Sequence, residues 1–65
     1  MNQKIEKYKE ELNTPEVNHF IKEITQVYLI TEKEVKKLLI EERVETNNMH
    51  EAILSVIERL KFYMI

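Results

Sequence analysis

Ile30-Thr31-Glu32-Lys33-Glu34-Val35 is the stretch that decides how this chain folds. A Thr followed three residues later by a Glu forms a capping box. The hydroxyl accepts from the Glu amide, and the carboxylate reaches back to the Thr amide. Ile30 and Val35 occupy the flanking staple positions, where two apolar side chains fix the angle at which the chain enters the helix. The spacing predicts a helix from residue 32, set off from the preceding element by a tight connection.

Upstream, Val17, Phe20, Ile21, Ile24, Val27 and Tyr28 recur at helical spacing and form a broad apolar face. Many of them are β-branched, which favours a strand, but fifteen residues at helical period outweigh that preference. Pro15 lacks an N–H and has its φ preset, which suits the first position of a helix after a Thr cap, so this helix runs over 15–29. Ahead of it, Ile5, Tyr8 and Leu12 share one stripe of an otherwise Lys- and Glu-rich helix over 2–12, expected to be a partly exposed arm. Downstream, the capped helix covers 32–44 and carries Val35, Leu38, Leu39 and Val44 on its apolar side. Glu45-Thr46-Asn47-Asn48 closes it, with Asn expected to take the left-handed cap conformation that glycine usually supplies. Asn48 and Glu51 repeat the start signal for a last helix over 49–63, where Met49, Ile53, Val56, Leu60 and Tyr63 step by four, three, four and three. Ala52, Ile57 and Met64 widen this stripe, which is expected to be the strongest amphipathic segment, and Phe62-Tyr63-Met64-Ile65 ends the chain on apolar residues. The fold class is all-α: a small bundle of three main helices with an N-terminal helical arm, in a single domain.

The 65 residues contain no Gly, Cys or Trp, and all 12 acidic residues are Glu. Without glycine there is no phosphate-cradling loop. Without cysteine there is no disulfide framework, thiolate nucleophile or cysteine-based zinc site. Nineteen residues are Ile, Leu or Val, far too many for a disordered chain. A domain this small without staples commonly closes its core against a second chain, so a homodimer burying the last helix is expected. No apolar run approaches the ~18 residues that span a bilayer, and the opening Met1-Asn2-Gln3-Lys4-Ile5-Glu6-Lys7 lacks an apolar signal core. The expectation is therefore a cytoplasmic protein with no membrane partner. The Ile-, Lys-, Glu- and Asn-rich composition points to an AT-rich bacterial, plasmid or phage genome.

Candidate chemistries are few. Glu16 and His19 make a Glu-x-x-His step of the type found in carboxylate di-iron bundles, but such sites need the step twice with further inward carboxylates. His50-Glu51 opens like a helical zinc-protease motif, yet position 54 is Leu rather than the second His. Ser55 is the sole serine, placed mid-helix, which leaves almost no material for nucleophilic catalysis. No enzyme activity, metal or cofactor is expected. What remains is binding. The face Ile53, Val56, Ile57, Leu60, Tyr63 and Met64 is the expected partner or dimer surface of a non-enzymatic inhibitor, antagonist or adaptor, acting on a protein of unknown identity.

The alternative is a small dimeric helix-turn-helix-like regulator that binds nucleic acid through Lys22, Lys33, Lys36 and Lys37. Against it, the helix Glu32–Arg43 carries four acids and four bases, with Glu32 and Glu34 in the first turn, where phosphates would have to approach.

The run Ile30-Thr31-Glu32-Lys33-Glu34-Val35-Lys36-Lys37-Leu38-Leu39 resembles the second half of the short SinI-type anti-repressors of sporulating bacteria. Those are helical hairpins that disarm a repressor by inserting into its oligomerisation helices. The likeness covers these ten residues; the Trp of that pattern has no counterpart in 17–24, and the helix after Asn48 is foreign to it. The resemblance implies action by competing for another protein's helices.

Overall fold

The computed structural model describes the backbone of residues 3–63 and the side-chain surroundings of residues 6–62. Within it the chain is all-α, with helices α1 (Gln3–Glu11), α2 (Pro15–Tyr28), α3 (Glu32–Val44) and α4 (Met49–Tyr63). Each start is set by a local cap. Thr14 Oγ1 accepts from the Val17 amide at 3.3 Å, with Pro15 in the first turn. Thr31 and Glu34 close both halves of the capping box, at 3.2 Å and 3.4 Å. Asn48 Oδ1 accepts from the Glu51 amide at 2.9 Å, while the Glu51 carboxylate reaches one residue further back, to the Asn47 amide at 3.1 Å. Among the expected apolar positions, Ile5, Met64, Ile65 and the side chain of Tyr63 lie outside the described residues.

The helix ends differ from expectation in one instructive way. The left-handed conformation falls at Leu29 (φ 55°, ψ 36°), the C-cap of α2, and at neither Asn47 nor Asn48. The end of α3 has no need of a left-handed residue. The Thr46 hydroxyl donates to the Glu42 carbonyl at 2.9 Å, and the Glu45 and Thr46 amides donate to the Glu42 and Arg43 carbonyls. These bonds satisfy the orphan carbonyls that a glycine cap would otherwise serve.

Packing centres on α3, against which each of the other three helices lies, while those three meet one another only lightly. Val35 and Leu39 of α3 are completely buried, together with Val17 of α2 and Val56 of α4. Leu12, Ile21, Ile24, Ile53 and Leu60 complete the cluster, and Ile30 packs on its edge as the staple position requires. Each such side chain contributes roughly 1.5–3 kcal/mol by leaving water. Val27 and Val44, placed by spacing on apolar faces, instead stand 67% and 56% exposed near the ends of their helices. The sharper division of apolar and polar faces belongs to α2 rather than α4, because Leu54 and Phe62 occupy the outer side of α4.

The expected arm is tied down. Arg43 of α3 donates from Nε to Glu11 Oε1 at 2.9 Å and from Nη1 to the Thr46 carbonyl at 3.0 Å. Its guanidinium also lies over the Tyr8 ring, 4.4 Å from the centroid. On the α4 side, Arg59 donates to Glu42 at 2.9 Å and Glu41 at 3.3 Å, and these bonds raise its pKa above the ordinary arginine value. Among the described residues, no buried side-chain nitrogen or oxygen lacks a partner.

Candidate functional site

The expected partner face divides in the folded chain. Ile53, Val56 and Leu60 are buried in the chain's own core, and Ile57 is half-buried at its margin. Met64 and the side chain of Tyr63 lie outside the described residues. The apolar surface that α4 offers to solvent comes from Leu54, 51% exposed, and Phe62, 81% exposed.

Ile57 and Leu54 belong to a feature that the helices build jointly. His50 Nδ1 lies 3.4 Å from Glu16 Oε2, so the first turns of α2 and α4 are neighbours. Both helices pack on α3, joined to it by connections of three and four residues. From the touching pair, Glu16, Phe20, Glu23 and Val27 follow at intervals of four, three and four, as do His50, Leu54, Ile57 and Lys61. Residues so spaced share one helical stripe. The Glu16–His50 contact therefore joins the starts of two matching stripes across the seam between α2 and α4, helices that otherwise touch only lightly. The seam is open: Phe20 and Ile57 are half-buried, and Val27 and Leu54 mostly face solvent.

The same contact places the Glu-x-x-His step. Glu16 turns to His50 across the seam, while His19 is exposed on α2. Among the described residues, no group of three or more His, Cys, Asp or Glu side chains is placed to hold a metal ion.

The lysines of the nucleic-acid alternative also divide. Lys33, Lys36 and Lys37 come together in an open groove of about 360 Å³ between α1 and α3, where Lys9 joins them. Leu12, Asn13 and Ile40 supply the rest of its lining, and among the described residues no acidic side chain contributes. Lys22 lies elsewhere, in a second depression of about 400 Å³ shared with Asn18, Ile21, Thr25 and Glu32. Lys9 escapes notice in the sequence because it sits in a charge-rich helix of its own. The available signal is a matched pair of stripes, Lys9-Leu12-Asn13 and Lys33-Lys36-Lys37-Ile40, each spaced by threes and fours. Seeing them as one groove requires knowing that α1 packs on α3. Lys36 makes an exposed ion pair with Glu32 at 3.4 Å, of a type worth only ~0.3–0.5 kcal/mol and readily exchanged.

Among the described residues, no helix is long and apolar enough to cross a membrane. No protein family, curated protein or solved structure matches this chain.

Proposed function

We propose that this chain is a small non-enzymatic regulatory protein that binds a helix of another protein along the seam between α2 and α4. The observation that carries this reading is the pair of matching stripes that leaves Phe20, Val27, Leu54 and Ile57 partly in solvent. Phe20 and Val27 on α2, with Leu54 and Ile57 on α4, each pair on one helical stripe, offer apolar positions against which a third helix sets its own. Glu16 and Glu23 on the α2 stripe, with Lys61 on the α4 stripe, add charges of opposite sign that orient the incoming helix. A second copy meets the same requirements, so the expected homodimer forms over this seam. Ile53, Val56 and Leu60 serve the core, and the partner surface keeps Ile57 from the original face.

The test replaces Val27 and Leu54 together by Lys. Both side chains are mostly exposed, and Glu23 and Glu58 stand four residues away as acceptors, so the variant folds. Wild-type chain and variant are compared by light scattering and by affinity capture, with the captured protein then titrated in purified form. The expected outcome is a monomeric variant whose partner affinity falls about a hundred-fold, as for loss of two interface anchors. Equal affinity and equal oligomer size for the two chains count against the seam.

A further inference from the structure

We propose that the lysine groove between α1 and α3 is a second docking surface, and that its occupant is an acidic amphipathic segment of a protein partner. This rests on the protein-binding reading above but uses a different part of the molecule, since the groove lies on the α1 side of α3 and the seam lies between α2 and α4.

The argument begins with charge. The chain carries a formal net charge of −2, yet among the described residues the ionisable side chains lining this groove are all lysines. Like charges gathered in this way repel one another, and an anionic occupant relieves that repulsion. Among the described residues, the counter-charge paired with these lysines is the exposed Glu32 beside Lys36, a pair that an incoming carboxylate displaces at little cost. The floor is a different matter. Leu12 is buried in the core cluster, Ile40 is half-buried against it, and the lysine stems add methylenes above them while their ammonium heads reach for water. The result is an apolar trough with a cationic rim.

That combination separates one polyanion from another. A phosphate backbone would satisfy the rim and leave the floor unused. The groove offers no aromatic ring for base stacking and no arginine fork for base edges, the features by which nucleic acid is held or read. A helix with Leu or Ile along one stripe and Glu on both flanks matches floor and rim together. The two walls repeat at intervals of three and four, the spacing at which such a helix presents its side chains.

The experiment titrates the full-length isotope-labelled chain with a short synthetic helix carrying Leu at i, i+3 and i+7 and Glu on both flanks. Parallel titrations use its Gln-for-Glu analogue and single- and double-stranded oligonucleotides. The expected result is saturable binding that weakens with salt, with amide shifts centred on Lys9, Leu12, Lys33, Lys37 and Ile40, and no comparable binding of the Gln analogue. Lys33→Glu with Lys37→Glu weakens the acidic helix about ten-fold or more and leaves the far-ultraviolet circular dichroism unchanged. Lys9→Glu, on the opposite wall, provides the same reading independently of α3. Tighter binding of either oligonucleotide at these amides overturns the proposal and assigns the groove to nucleic acid. Absence of saturable binding, or shifts confined to Val27, Leu54 and Ile57, overturns it as well. The protein-binding reading is then still judged separately by the seam variant.

Discussion

Leu29 holds φ 55° and ψ 36° with its side chain 91% exposed, so it takes a conformation hostile to a side chain and gains almost no burial in return. The left-handed region costs an L-residue roughly 1–2 kcal/mol, because Cβ approaches the following carbonyl. Glycine escapes that clash but gives up part of the gain, having more freedom to lose on folding. Leu29→Gly is therefore expected to stabilise the chain by about 0.5–1 kcal/mol, read as a higher denaturant midpoint at unchanged slope. A lower midpoint would mean that the Leu29 side chain has a structural role its exposure conceals. Capping pairs such as Thr31 with Glu34 could be read from the sequence because both partners lie within one turn and the chemistry is local. The Leu29 cap could not, because nothing in its residue type favours that conformation. It follows from how α2 must end for Ile30 to reach the core.

At the scale of elements, the same contrast separates α1 from the other helices. Its existence is legible in Tyr8 and Leu12, but its attachment depends on Arg43, far along the chain. That guanidinium joins Glu11, the Thr46 carbonyl and the face of Tyr8, with its side chain only 14% exposed. A hydrogen bond to a charged partner contributes roughly 1.5–3 kcal/mol, and a stacked cation roughly 0.5–1 kcal/mol more. Arg43→Ala is expected to cost about 2–3 kcal/mol and to speed amide exchange in α1 ahead of α4. Arg43→Lys keeps the charge but loses the planar fork, so it restores only part of that stability. Uniform acceleration across all helices would show that α1 has no separate attachment through Arg43. The lysine groove escapes the sequence for the same reason, since its two walls become neighbours only once α1 lies on α3.

For the whole molecule, the decisive fact is which helix sits in the middle. The regular four-three stepping of α4 draws attention to that helix, whereas periodicity registers a single stripe. A helix packed on several sides, as α3 is, spreads its contacts over more of its circumference: Leu38 and Ile40 flank the buried Val35 and Leu39. Helix type was thus legible, as were the core positions other than Val27 and Val44, and centrality was not. The consequence can be measured by making one chemical change at two sites. Leu39 is fully buried at the centre, so Leu39→Ala removes its contacts to the surrounding helices and leaves a cavity, at about 2–5 kcal/mol. A domain of this size without disulfides has only ~3–5 kcal/mol in hand. Leu54→Ala deletes the same atoms from the seam margin and should stay within about 0.5 kcal/mol. Thermal melts followed by circular dichroism should therefore show Leu39→Ala largely unfolded at 25 °C and Leu54→Ala close to wild type. Because all three other helices depend on α3, the Leu39→Ala loss should be a single transition that takes α1, α2 and α4 together. A variant that kept α4 folded while α2 melted would show that the α3–α4 pair folds alone and that α3 is not the shared support of the bundle.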